Sequence, residues 1–295
     1  MASVHIHGVP LDEGGGRAGA SGGPESLRAC GILDLIPNAH DHGDIAPAMP
    51  HHAQQHPEEI HAILAATSAI KERTYESVKT NSIPIVLGGD HSIAAGSMAG
   101  VAQAFRELGR PAPALLWFDA HVDLNTLDTS PSGNLHGMPA AALLGYGVPG
   151  LDEVVGEHGQ FDPQRCAFIG HRDVDPGEAD RMKAAGFPEA SAEDFHQGNP
   201  EAIIDDILAR IAPNGAPFCL SFDIDVADPS DAPGVDTPVP HGLNSEVLRR
   251  SMKRIANHGG LIAMDLVEVN PVFDDAGRTA KLAAELASIA ISGSH

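Results

Sequence analysis

Short runs of continuously apolar residues recur along this chain, and most are followed by a stretch of helical length. Examples are Ile83-Pro84-Ile85-Val86-Leu87, Leu115-Leu116-Trp117-Phe118 and Phe218-Cys219-Leu220-Ser221-Phe222. A strand that is apolar on both faces has to be buried on both, and parallel sheets covered by helices on either side provide that environment. Residues 4–9, 165–170 and 261–267 complete the expected strands. Helices are expected over 24–35, 57–80, 92–109, 178–185, 199–212, 243–258 and 277–291. Residues 12–23 read as a glycine-rich loop, 122–137 as a polar loop, and 37–56, dense in His, Pro and Asp, as irregular. No low-complexity linker or internal repeat divides the pattern, so one α/β domain over residues 1–295 is the simplest organisation. In such a sheet, functional groups gather at the carboxyl ends of the strands.

Charge narrows the partners. The chain carries 18 Lys+Arg against 40 Asp+Glu, a formal net charge of −22 with His neutral. That field repels nucleic acid and anionic membrane surfaces and favours a small cationic substrate. Cys30, Cys166 and Cys219 are scattered, forming neither a disulfide framework nor a CxxC metal motif, which fits a reducing compartment. No run reaches the roughly 18 apolar residues of a membrane helix, and the first residues lack a basic segment followed by an apolar one. The expected location is cytoplasmic. The 17 histidines are the unusual feature.

Three clusters of metal-ligating residues sit where strands end. Gly88-Gly89-Asp90-His91-Ser92 follows the first apolar run, Asp119-Ala120-His121-Val122-Asp123 the second, and Asp223-Ile224-Asp225 the third. Each alone also reads as a capped turn; it is their joint occurrence at three strand ends that argues for chemistry. If the extended backbone continues through these motifs, alternate side chains point the same way. His91, Asp119, His121, Asp123, Asp223 and Asp225 then converge. Four adjacent carboxylates repel one another unless cations neutralise them, and two divalent metals balance the charge. Oxygen-rich ligation with two imidazoles suits Mn²⁺ or a similar hard-to-borderline ion, whereas composition excludes a tetrahedral thiolate zinc site.

These residues resemble the signature of the ureohydrolase family, whose members include arginase, agmatinase and guanidinobutyrase. The likeness covers nearly the whole chain: GGDHS at 88–92, DAHVD at 119–123, SFDIDVADP at 221–229 and MDLVEVNP at 264–271. It implies a three-layer α/β/α fold with a central parallel sheet, as in the arginases, two Mn²⁺ per chain, and hydrolysis of a guanidinium to urea and an amine. It assigns His91, Asp119, Asp123 and Asp223 to one manganese and His121, Asp119, Asp223 and Asp225 to the other, with Asp119 and Asp223 shared. It also implies a homo-oligomer, a trimer or hexamer.

Within the family, the SGNLHG run at 132–137 is similar to arginase and unlike agmatinase, which implies L-arginine as substrate and L-ornithine and urea as products. Arginine differs from agmatine by an α-carboxylate. Asn125, Ser130 and Ser132 supply neutral donors for it. In IGHRDVDPGE at 169–178, Asp175 is the expected partner of the α-ammonium, with Glu178 helping through water. The departing amine needs a proton, and His136 fits as the shuttle because an imidazole titrates near working pH. Glu268 resembles the family's guanidinium-holding carboxylate, and Thr237 a residue near the reacting carbon.

Two positions depart from the pattern. Arginases commonly have Gly before the Thr-Pro and Val-Gly-Gly after it, whereas residues 236–242 here read Asp-Thr-Pro-Val-Pro-His-Gly. Asp236 adds a carboxylate near the expected site, and His241 a ring where glycine is expected; His241 reads as a loop residue rather than a spare ligand. His40, His42, His51, His52 and His56 read as a solvated loop, with adventitious metal binding as the alternative, and His5 and His7 as packed on one side of the first strand. The competing functions are the same hydrolysis of N-hydroxyarginine, agmatine or guanidinobutyrate, and a non-catalytic metal-binding protein on this fold.

Overall fold

A computed structural model describes residues 3–45 and 57–293. Along the chain run β1 (Ser3–Val9), α1 (Gly23–Ala29), α2 (Ile32–Leu35), β2 (Ala39–Asp44), α3 (Pro57–Lys79), β3 (Ser82–Gly88), α4 (Ala94–Glu107), β4 (Ala114–Phe118), α5 (Pro139–Leu143) and α6 (Leu151–Val155). They are followed by β5 (Cys166–Ile169), α7 (Pro176–Ala185), β6 (Glu189–Ala190), α8 (Ala192–Gln197), α9 (Pro200–Ile211), β7 (Phe218–Asp223), α10 (Ser245–His258), β8 (Leu261–Val267) and α11 (Arg278–Ile291). The strands form one eight-stranded sheet in the order β2-β1-β3-β8-β7-β4-β5-β6, and the neighbouring pairs are parallel.

The continuous apolar runs are explained by what lies on each face. Along β4, Leu116 and Phe118 join a core that includes residues of α1, α2 and α8–α11, while Leu115 and Trp117 join the opposite core with α3–α7. Period-two alternation thus sends every second side chain into a different apolar layer, leaving no face for water. The result is the expected helix–sheet–helix sandwich. At the start of α9 the Asn199 side chain accepts from the Ala202 N–H at 3.0 Å, so that helix begins where a capping residue predicts.

Several expectations are corrected. Residues 39–44 are not irregular but form β2, an edge strand whose Ala39 and His40 pair with Val4 and His5. Its sequence, Ala-His-Asp-His-Gly-Asp, lacks the apolar signal because most of it faces water at the sheet edge. His51, His52 and His56 lie outside the described residues. The helix expected over 24–35 breaks in two at Gly31, whose φ of 84° is left-handed backbone. The short elements α6, β6 and α8 carry too little periodicity to be read from sequence.

Candidate metal centre

Four central neighbours, β3, β8, β7 and β4, deliver the chemistry at their carboxyl ends. Gly88 closes β3 three residues before His91, Asp223 is the last residue of β7, Asp119 follows β4, and Glu268 follows β8. Gly89 has to be glycine: a Cβ there would lie 1.7 Å from the Leu11 carbonyl oxygen. Asp90 then accepts from the N–H groups of Gly14 at 2.8 Å and Ser92 at 2.9 Å, starting the 3₁₀ turn that carries His91.

The condition of extended backbone is not met through the motifs. Asp123 turns at φ 50° and Glu268 at φ 63°, in the left-handed region that costs a non-glycine residue on the order of 1–3 kcal/mol. Asp225 sits in a 3₁₀ turn and donates its N–H to Asp223 Oδ1 at 2.7 Å. Strand-end turns with carboxylate-to-backbone bonds, not alternation, aim the side chains.

The six expected ligands nonetheless meet. His91 Nδ1 lies 3.2 Å from Asp119 Oδ2, 3.0 Å from Asp123 Oδ2 and 3.2 Å from Asp223 Oδ2. His121 Nδ1 lies 3.2 Å from Asp119 Oδ1 and 3.2 Å from Asp225 Oδ2. Asp119 therefore turns one oxygen to each imidazole. Ligand atoms of His91, Asp119 and Asp123, and of Asp119, His121 and Asp225, fall within 4.8 Å of one another. His91 Nδ1 and Asp123 Oδ2 have no hydrogen-bond partner although they are only 3.0 Å apart. Such atoms crowd around a common point instead of along a donor–acceptor line. Adjacent ligands of a divalent ion, each about 2.0–2.3 Å from it, lie about 3 Å from one another, so this donor set fits metal ions.

A second layer orients the ligands. His91 Nε2 meets Ser221 Oγ at 2.9 Å, and Ser221 donates to Asp265 Oδ1 at 2.7 Å, while Ser97 of α4 donates to Asp265 Oδ2 at 2.6 Å. With Nε2 engaged, Nδ1 is the nitrogen left for a cation. The ring also stacks on Trp117, centroids 4.3 Å apart, and the Trp117 indole N–H donates to Asp119 Oδ2 at 3.0 Å. Thr237 donates to Asp225 Oδ2 at 3.0 Å, and the Ala120 N–H to Asp225 Oδ1 at 3.0 Å. Ser221 and Asp265 were not expected here. The signal that finds them is a polar residue inside an otherwise apolar strand.

Electrostatics ask for positive charge. Burial pulls the His91 imidazole down, but the charge of Asp123 and the close approach of the Asp119, Asp123 and Asp223 oxygens hold it well above its ordinary value. Burial likewise pulls His121 down, and Asp225 and Asp119 override it. Burial and then the Asp119 charge push Asp123 up to about 6, while burial, Asp225 and Asp119 raise Asp223 well above the usual carboxylate range. Asp119 goes the other way: burial raises it, but His121 and His91 hold it well below the usual carboxylate range. The raised Asp123 and Asp223 and the proton-holding imidazoles around it are two signs of the same excess negative charge.

The remaining expected residues divide into those beside this cluster and those set apart from it. His136 Nδ1 is 3.0 Å from Glu268 Oε1, which also accepts the His91 N–H at 2.8 Å. Burial lowers the His136 imidazole, but Glu268, Asp90 and Asp123 raise it to about 9. Asn125 donates to Asp175 Oδ2 at 2.8 Å, so two of the expected head-group residues touch. Ser130 and Ser132 cap the loop, accepting the N–H groups of Gly133 at 2.9 Å and Asn134 at 3.2 Å. Glu178 is buried, and its oxygens accept the N–H groups of Leu124 at 2.9 Å and Asp175 at 3.0 Å. It holds the loop and the start of α7 instead of facing water. His241 is exposed, at φ 65°. A cleft of about 360 Å³ opens over the centre, lined among others by Arg17, His121, Asn134, Asp173, Asp236 and Thr237. Arg17, Asn134 and Asp173 are additions to the expected set.

Comparison with known proteins agrees with this architecture. Residues 2–292 match the family model described as Arginase family. The arginase of Bacillus caldovelox is 35% identical, covering 97% of each chain, and that of Brevibacillus brevis 36% identical, covering 97% of this chain and 96% of the other. The solved structure of Bacillus caldovelox arginase superimposes with a TM-score of 0.92 at 33% identity, covering 100% of this chain and 99% of that one.

Proposed function

The chain belongs to the arginase family, and from that premise we propose that it hydrolyses L-arginine to L-ornithine and urea with two divalent cations, for which manganese is the best match. The observation that carries the reading is Asp119, with one oxygen toward the His91 group and the other toward the His121 group. His91, Asp119, Asp123 and Asp223 would hold one cation and His121, Asp119, Asp223 and Asp225 the other. When bound, the cations supply Lewis acidity and bring the pKa of water toward neutrality.

The side chains do the rest. Glu268, anchored by the His91 N–H, binds the guanidinium and orients its carbon. The oxygen of a water molecule forms a new C–O bond at that carbon, the C–N bond to the side-chain amine breaks, the amine nitrogen takes a proton from His136, and the proton released by the water restores His136. Hydrogen bonding between His136 Nδ1 and Glu268 keeps the ring oriented, leaving Nε2 for the transfer. Thr237, tied to Asp225, lines the cleft beside the reacting group. Asn125, Ser130, Ser132 and Asp175 bind the α-carboxylate and α-ammonium, while Glu178 positions Asp175 through its backbone. Family likeness further supports a homotrimer or hexamer, which sedimentation velocity measures directly.

The test is urea release by the Mn²⁺-loaded protein offered arginine, agmatine, guanidinobutyrate and N-hydroxyarginine in parallel. Arginine is expected to give the highest kcat/KM. A preference for agmatine overturns the roles of Asn125 and Asp175. Bound metal with no urea from any of the four overturns the enzyme reading in favour of a metal-binding protein.

A further inference from the structure

The proposed chemistry leaves Asp236 unused. It lies in the loop between β7 and α10, one residue before Thr237, and lines the cleft together with His121 and Thr237 although it is only 1% exposed. Its Oδ1 accepts from the side-chain amide of Asn270, two residues beyond Glu268, while its Oδ2 has no hydrogen-bond partner. Glu268 shows the same asymmetry. Its Oε1 is engaged by the His91 N–H and by His136, and its Oε2, fully buried, has no partner.

Buried carboxylate oxygens without donors are costly, and two carboxylates close together repel. Here both neighbours are held in place. Asn270 ties Asp236 to the segment that carries Glu268. Gly15 supplies the opposite wall: a Cβ there would lie 3.4 Å from Asp236 Oδ2 and 3.7 Å from His136 Nδ1, the nitrogen bonded to Glu268. Glycine keeps that wall bare. Burial and then the charge of Glu268 push Asp236 up to about 7, and the Asn270 bond and the nearby His136 imidazole offset them only in part. A guanidinium is a planar cation with N–H donors on more than one edge. One carboxylate satisfies one edge; two carboxylates can satisfy two.

We propose that Asp236 is a specificity residue whose free Oδ2, together with Glu268, accepts hydrogen bonds from the substrate guanidinium. The inference rests on the guanidine-hydrolase reading above and narrows it. The site selects a fully protonated guanidinium over an N-hydroxyguanidine, in which the hydroxyl takes the place of an N–H donor and lowers the basicity.

The test compares wild type, Asp236→Gly and Asp236→Asn. Steady-state kinetics on L-arginine and N-hydroxy-L-arginine are paired with calorimetric binding of arginine and of ornithine, which lacks the guanidine, and with metal content. In both variants KM for arginine should rise by roughly 10- to 100-fold, in line with loss of a charge-assisted hydrogen bond. The preference for arginine over N-hydroxyarginine should fall by about tenfold, and ornithine affinity should move less than about twofold. An arginine KM within twofold of wild type, or ornithine binding weakened in parallel, overturns the proposal. If wild type releases no urea, the enzyme reading fails, and the ratio of arginine to ornithine binding across the variants still decides the role of Asp236. Should Asp236→Gly not fold, the near-isosteric Asp236→Asn carries the comparison.

Discussion

Histidines cluster in two regions of this sheet, and the two behave in opposite ways. At the carboxyl ends of β3 and β4, His91 and His121 face carboxylates. On β1 and β2, His5, His7, His40 and His42 face mainly one another, with His5 and His42 ring centroids 4.4 Å apart and His7 and His42 5.0 Å apart. His5 and His7 both reach the Ser77 hydroxyl of α3, at 3.1 Å and 3.0 Å. Burial, His42 and His5 push His7 down to about 4, whereas carboxylates hold His91 and His121 well above their ordinary value. Among the described residues, ligand atoms converge within 4.8 Å at the strand ends and not on β1 and β2. The difference teaches that a count of histidines says little about metal chemistry. Carboxylate neighbours make an imidazole site attractive to cations; burial and imidazole neighbours hold the packed rings of His5 and His7 below their ordinary value.

The largest test of this contrast is Asp119→Asn. Removing the charge that both imidazoles share should lower urea release by a thousandfold or more, a rough expectation for loss of metal catalysis, and should reduce bound Mn²⁺ measured by elemental analysis. Near-normal activity with full metal content would break the contrast outright. A smaller effect is expected for Ser221→Ala, which takes the acceptor from His91 Nε2. Metal affinity in a chelator competition should weaken by about 10- to 100-fold. Ser77→Ala, the matching change beneath His5 and His7, should leave metal affinity alone; equal losses in the two variants would erase the distinction.

The smallest effect concerns stability. His7 holds a proton only below about 4 when folded, against an ordinary value of 6.5. Between those pH values the unfolded chain binds the proton and the folded chain does not, so falling pH destabilises the fold through this window. The contribution, fully present above 6.5 and lost by about 4, is on the order of 3 kcal/mol. Denaturant titrations at pH 7 and 4.5 should show a flatter pH dependence for His7→Gln, with neutral-pH activity within about twofold of wild type. An unchanged slope contradicts the buried neutral state of His7.

Much of the site was legible because its signal is local. Apolar runs mark buried strands, and Asp or His directly after such a run falls at the sheet's carboxyl edge. β2 was not legible, since an edge strand of His, Asp and Gly has no apolar period to read. Nor were the left-handed turns at Asp123 and Glu268, because Asp tolerates φ > 0 without requiring it and Glu has no leaning towards it; the surrounding contacts impose it. Ser221 and Asp265 stand within the quoted motifs, but their partnership is a register fact: they pair across β7 and β8.

By itself, then, the order of residues picked out the six Asp and His side chains that come together and placed each near the end of a buried strand, because burial period and local residue type are properties of short segments. Tertiary structure alone decided that β3, β8, β7 and β4 stand side by side, that Asp119 serves both imidazoles, and that Asp236 and Glu268 each keep an oxygen without a donor. Those outcomes depend on distances through space between residues far apart in the chain, and electrostatic energy follows that separation, not the separation in sequence.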